Sequence, residues 1–168
     1  MADNWKTVQP SEIQDNVFKL IGTDWMLITA GGLDLWNTMT ASWGGLGVLW
    51  NKNVSYCFIR PTRYTYSFVN ENQYYSLSFF TEKYRSVLTY CGKYSGRDVN
   101  KAEKTGLVPV DLGETVAFQQ ARLVLVCKKL YWQDIMPAHF IDPAIDNNYP
   151  AKDYHRMFVG EIVKGFCI

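Results

Sequence analysis

The sequence predicts a mainly β protein, a β-barrel with short helices, and three observations carry that expectation. At least six runs rich in β-branched and aromatic residues recur along the 168 residues, while helical patterns are few and short. One of these runs, Ala121 to Tyr131, is long enough to bend around a closed sheet. Helices do not separate the strands regularly, so a doubly wound parallel sheet fits poorly and an antiparallel barrel fits well.

Ser11 with Gln14 three residues on has the form of a capping box. Ile13, Val17, Leu20 and Ile21 follow at helical spacing, so a short helix is expected over 11–20. Trp25 to Ala30 reads as a strand, and residues 31–35, beginning Gly31-Gly32, as a hairpin loop. The next run, from Asn37 to Gly47, is Asn-Thr-Met-Thr-Ala-Ser-Trp-Gly-Gly-Leu-Gly. Thr38, Thr40 and Ser42 alternate with Met39, Ala41 and Trp43, as in a strand with one hydroxyl face that ends in a glycine turn. The same run is also a candidate bed for a flat polar ligand, because small hydroxyls and glycines let the backbone come close.

Val54 to Ile59 is a further strand, followed directly by Arg60-Pro-Thr-Arg-Tyr-Thr-Tyr66. Pro61 is placed to open a helix, with Tyr64, Phe68 and Val69 near one face and Thr62, Arg63 and Thr65 in or beside its first turn. Free backbone N–H groups, hydroxyls and two arginines there make a candidate phosphate seat; the plainer reading is a capped surface helix with solvated arginines.

Tyr74 to Phe80 alternates as a strand, and Glu82 to Tyr90 reads as a short helix. In the loop Cys91-Gly-Lys-Tyr-Ser-Gly-Arg-Asp98, Gly92 and Gly96 permit tight turns and Ser95 or Asp98 is placed to cap a helix over 99–105. Lys93, Arg97 and Lys101 give it local positive charge, which favours a thiolate at Cys91. A thiol nucleophile also needs a base, and the two histidines, His139 and His155, are distant in sequence. Val116 to Phe118 is a strand, Pro137, Pro143 and Pro150 mark loops, and residues 154–163 return as a late strand.

With 48% hydrophobic and 15% aromatic residues, the chain suits one domain over residues 1–168 with a substantial core. A formal charge of +1, from 17 basic and 16 acidic residues, gives no field to attract nucleic acid or an anionic membrane. Cys57, Cys91, Cys127 and Cys167 form no Cys-x-x-Cys pair, so no metal site is expected and reduced, mostly buried thiols are the simplest account. No signal-peptide core or membrane-length apolar run is present, which leads to the expectation of a cytoplasmic protein. Neither a Gly-x-Gly-x-x-Gly after a strand nor a Walker sequence occurs, so any phosphate site is of another kind.

Four segments taken together and in order resemble the flavin reductase-like proteins of the flavoredoxin type. They are Asn-Thr-Met-Thr-Ala-Ser-Trp from Asn37, Arg-Pro-Thr-Arg-Tyr-Thr from Arg60, Cys-Gly-Lys-Tyr-Ser-Gly-Arg-Asp from Cys91, and Tyr-His-Arg-Met-Phe-Val-Gly-Glu-Ile from Tyr154. The resemblance covers nearly the whole chain. It implies an FMN-binding split barrel, a homodimer with flavin sites near the subunit interface, and electron transfer through FMN. NADH, NADPH or another carrier, such as a redox protein, would donate the electrons; the alternative is an FMN electron carrier with no nicotinamide-dependent activity of its own.

By the same resemblance, Asn37, Thr38, Met39, Thr40, Ala41, Ser42 and Trp43 follow the flavin ring and ribityl chain. Arg60, Thr62, Arg63, Tyr64 and Thr65 lie by the phosphate. Cys91, Ser95, Gly96, Arg97, Asp98 and Lys101 match a further cofactor-side region. His155 lies near the flavin as a hydrogen-bond donor in catalysis. One departure is Asn51-Lys52-Asn53, where such proteins often carry a proline-containing turn.

Overall fold

The computed structural model describes residues 4–168. A two-residue strand β1 (Lys6–Thr7) is followed by two separate turns, a 3₁₀ turn at Pro10–Glu12 and a π turn at Lys19–Thr23, in place of the continuous helix expected over 11–20. Two local caps divide the segment. The Glu12 carboxylate accepts from the Gln9 backbone N–H at 2.8 Å, and Asn16 Oδ1 accepts from that of Lys19 at 3.1 Å.

β2 (Met26–Gly32) and β3 (Leu35–Ala41) form a hairpin turned at Leu33 and Asp34, so both strands extend into the expected loop. Gly31 enters the turn with φ 106°, and a Cβ there would meet the Leu35 carbonyl oxygen at 2.2 Å. β4 (Gly44–Leu49) and β5 (Lys52–Ile59) form the next hairpin. Its turn residues Trp50 and Asn51 have φ values of 52° and 57°, the left-handed pair that a two-residue hairpin favours. Proline, whose φ is fixed near −65°, has no place at either position. Gly44, Gly45 and Gly47 lie inside β4, which corrects the glycine turn expected there.

α1 begins at Tyr64 and ends at Glu71, later than a start at Pro61. β6 (Tyr74–Phe79) leads through a 3₁₀ turn to α2 (Arg85–Lys93), and α3 (Lys101–Thr105) follows. Asn100, rather than Ser95 or Asp98, caps α3 by accepting from the Glu103 N–H at 3.2 Å. β7 (Pro109–Asp111) and β8 (Val116–Phe118) make a small hairpin. The two longest strands, β9 (Leu123–Asp134) and β10 (Arg156–Cys167), flank a loop with two 3₁₀ turns.

The main sheet is antiparallel in the order β3-β2-β6-β9-β10-β5-β4, with β1 paired to β10. Its two edges, β3 and β4, are consecutive in the chain and joined by Ser42 and Trp43 alone, so the sheet must curl until its edges meet there. The result is a barrel split along the β3–β4 seam. Met26, Ile28, Cys57, Ile59, Leu77 and Leu125 fill its interior, and Phe68 and Val69 of α1 pack into the same cluster. A second layer covers the outer face of β2, β6 and β9, where Leu27, Val124 and Val126 meet Leu88 of α2 and Phe118 of β8. Each large side chain so buried contributes about 1.5–3 kcal/mol. All four cysteines are free, with Cys57, Cys91 and Cys127 buried and Cys167 half-buried. Among the described residues, no helix is long and apolar enough to cross a membrane.

Candidate cofactor site

β3 pairs only with β2, so its other edge is free. α1 and α2 pack on either side of that strand, and a groove runs along it in three connected chambers. The first, about 170 Å³, lies at the seam between Met39, Ala41, Ser42, Trp43, Phe58 and His155. The second, about 140 Å³, lies between Thr62, Arg63 and Tyr64 on one side and Ser95 to Arg97 on the other. Met39 and Arg63 line both. The third, about 400 Å³, is entered between Asn37, Gly96, Arg97 and Lys101, which it shares with the second.

The sequence-predicted residues thus converge, with two exceptions. The Thr38 side chain turns inward, its hydroxyl 2.8 Å from that of Thr29 and 3.2 Å from the Ile28 carbonyl oxygen. Cys91 is packed in the outer core, and burial pushes its thiol up to about 11 although Lys101 draws it back, so it stays protonated at neutral pH. The other predicted positions line the groove, although two of them are also tied to its walls: the Thr40 hydroxyl donates to the Leu88 carbonyl, and Thr65 accepts from Asn37 Nδ2 at 2.8 Å. Gly96 lies so close to Asn37 that a Cβ would sit 1.9 Å from its Oδ1.

At the phosphate-like end the charges lack anionic partners. Lys101 is 5% exposed and donates to the carbonyl oxygens of Thr38 at 2.6 Å and Cys91 at 2.8 Å. Among the described residues no carboxylate pairs with it, and an ammonium has a third proton to give. Burial lowers its pKa to about 8, with Cys91 opposing and Arg63 adding to the shift. Arg63 donates to the Gly92 carbonyl oxygen at 2.9 Å, and Arg97 lies 4.5 Å over the Tyr64 ring; neither has a carboxylate partner among the described residues.

The seam end is built differently. Arg60 is ion-paired to Asp153 at 2.8 Å, donates to the Asn148 carbonyl oxygen at 2.8 Å, and lies 5.0 Å over the Tyr149 ring. Tyr149 Oη is 2.9 Å from His155 Nδ1, and the His155 ring is 5.1 Å from that of Trp43. Burial, with Arg60 and Arg63 adding to it and Asp153 opposing, lowers the His155 pKa to about 4, so the imidazole is neutral at pH 7. Sequence reasoning missed Phe58, Tyr149 and Asp153; their roles arise from strand pairing and loop folding, with no local signal.

These residues suit a flavin nucleotide. A free strand edge offers backbone donors and acceptors to a flat polar ring, and the half-buried wall matches its apolar faces. The cations that end the second chamber suit a phosphate. No metal-ligating cluster of three or more acidic, histidine or cysteine side chains occurs among the described residues.

No family model and no curated protein matches the sequence. Solved structures do. An FMN-binding domain of a flavin reductases-like enzyme from Shewanella baltica superposes with a TM-score of 0.71 at 16% identity, covering 99% of this chain and 78% of that one. Flavoredoxin from Methanosarcina acetivorans gives 0.66 at 21% identity over 96% of this chain and 76% of its own. An NADH:FAD oxidoreductase from Streptomyces globisporus, in complex with NAD and FAD fragments, gives 0.66 at 14% identity over 87% and 75%. With the seam between β3 and β4 and the order of strands, these likenesses give the chain the split-barrel fold found in FMN-binding flavin reductase-like proteins and flavoredoxins.

Proposed function

We propose that the protein binds FMN along the β3 groove and passes electrons through it from NADH, NADPH or another carrier to an acceptor. The observation that carries this reading is a groove on a free strand edge whose second chamber is lined by Arg63, Arg97 and Lys101, three cations without carboxylate partners among the described residues. FMN supplies the redox chemistry when bound, and the protein supplies binding, orientation and electrostatics. Lys101 and Arg63 hold the phosphate end. Trp43 and Phe58 form part of the wall at the seam, against which the flavin ring would pack. In the tautomer in which the Tyr149 hydroxyl donates to Nδ1, neutral His155 carries its proton on Nε2, and that N–H would donate to a ring oxygen or nitrogen in the first chamber.

Mixing purified protein and FMN with NADH or NADPH and following the flavin absorbance tests this. Bleaching supports a nicotinamide-dependent reductase. Tight FMN binding without bleaching moves the reading to an electron carrier, and a protein that ignores FMN overturns both. The proposal includes a homodimer, since Trp43 at the seam and Trp50, Tyr131 and Trp132 beyond it are 42–55% exposed. A monomer at micromolar concentration by sedimentation, with FMN bound, argues against that part.

A further inference from the structure

We infer that Tyr149 is a positioning residue for the flavin site: its hydroxyl holds the His155 ring in the one tautomer and orientation that present Nε2–H to the first chamber. This rests on the flavin reading of that chamber and extends it to a residue outside the four segments of the resemblance. Tyr149 is 3% exposed and His155 8%. Among the described residues, the only hydrogen bond of the Tyr149 hydroxyl is the 2.9 Å contact with His155 Nδ1. Were Nδ1–H the donor, the phenol proton would be buried without an acceptor, a state that burial penalises. With the phenol donating, both groups are satisfied and the imidazole proton sits on Nε2. Burial raises the Tyr149 pKa, with Arg60 opposing and Asp153 adding to the shift, so the hydroxyl keeps its proton at neutral pH.

The phenol is itself held in place. Tyr149 follows the 3₁₀ turn Pro143–Asn148, and its N–H donates to the Asp146 carbonyl oxygen at 2.9 Å. Its ring packs against Phe140 and Tyr154, with centroids 6.2 and 4.9 Å away, and lies under the Arg60 guanidinium. The ion pair with Asp153 that takes Arg60 away from a phosphate therefore also aligns the ring that aligns His155. The His155 backbone is fixed separately, its carbonyl oxygen accepting from the Ile135 N–H at 2.9 Å. The side chain is left to Tyr149 and to the Trp43 ring 5.1 Å away, and of these only Tyr149 distinguishes the two ring nitrogens. Nε2 has no partner among the described residues, and His155 lines the first chamber beside Trp43 and Phe58. A neutral N–H there stabilises the more negative charge of a reduced ring, and only while it points at that ring.

Two measurements test the inference. In nitrogen NMR of the labelled, flavin-free protein at neutral pH, with the two histidines assigned through His155→Ala, His155 should appear as the Nε2–H tautomer. Tyr149→Phe should then shift its Nδ1 resonance. An Nδ1–H tautomer, or an Nδ1 resonance that Tyr149→Phe leaves unmoved, overturns the inference. The second measurement is the equilibrium constant for reduction of bound FMN against a reference dye. Tyr149→Phe should lower it by roughly threefold to tenfold while oxidised FMN binds within about twofold of wild type. His155→Ala should lower it by at least as much, and the double variant no further than His155→Ala. An unchanged constant in Tyr149→Phe, or an equal further loss on the His155→Ala background, overturns the positioning role and leaves the flavin reading standing. Failure of the protein to bind FMN overturns the flavin reading and the positioning role together, whatever the tautomer.

Discussion

Arg60 and Arg63 are three residues apart in one heptapeptide, and they are used in opposite ways. Arg60 is ion-paired and hydrogen-bonded into the 148–153 loop, its charge neutralised by Asp153. Arg63 meets one carbonyl oxygen and no carboxylate. A related division runs through the groove: at the seam end Arg60 is neutralised by Asp153 and His155 is held by Tyr149, whereas the cations of the second chamber, Arg63 included, have no carboxylate partner among the described residues. Position in a motif therefore does not decide an arginine's task; the partners that the fold brings to it do.

The largest effect that bears on this contrast is expected at the seam. His155→Ala should keep the fold and most FMN affinity but slow flavin reduction by roughly tenfold to a hundredfold, because one positioned donor supplies part of the stabilisation. Stopped-flow reduction at saturating donor reads this directly, and an unchanged rate returns His155 to a structural role beside Tyr149. At the other end, Arg63→Ala should weaken FMN by about tenfold or more while riboflavin barely changes, since a charge-assisted contact contributes roughly 1.5–3 kcal/mol. Arg60→Ala should act instead on stability, costing about 1–3 kcal/mol as Asp153 and its neighbours lose their partner. If Arg60→Ala abolishes FMN binding in a fully stable protein, the contrast collapses.

Two pH effects of smaller size sharpen it. Lys101 without ligand has its pKa lowered to about 8, and an anionic ligand favours its charged form. FMN affinity should therefore fall as pH rises from about 7.5 to 9, by at most about tenfold per unit for one proton, and Lys101→Met should flatten the curve. His155 has a folded pKa of about 4 against an ordinary 6.5. Below pH 6.5 the unfolded chain takes up a proton that the folded chain refuses, so stability is lost as pH falls from 6.5 towards 4. Thermal midpoints of wild type and His155→Phe should diverge in that window, the wild type falling more.

Much of the strand layout was legible because it is written locally. The alternation from Thr38 to Trp43 and the β-rich run from Ala121 mark β3 and β9, and both are present. The glycines at 44 to 47 were misread because their reason is not local. At Gly44 a Cβ would meet the Tyr56 carbonyl oxygen at 2.8 Å, so glycine serves close pairing with β5 rather than a turn. The helix expected over 11–20 has the right period, but the caps at Glu12 and Asn16 start and stop it twice. At the site, residue types converge on the groove, whereas the sorting of Arg60 from Arg63 depends on Asp153, 93 positions from Arg60. The membership of Lys101 was legible by resemblance, but its burial without a counterion was not.

The cysteines have a consequence for how the protein ages in the presence of oxidants. A thiol is oxidised as its thiolate, and burial pushes Cys91 up to about 11 and Cys127 to about 12, with Cys57 higher still. These three are also sealed from solvent, in the barrel interior and under the outer layer. Cys167, half-buried at the far end of β10 from His155, is the one a peroxide or an alkylating reagent can reach while the fold is intact. Oxidative damage in the native state should therefore collect at the chain's last strand residue, away from the groove, and the appearance of a second reactive thiol would time the opening of the barrel itself.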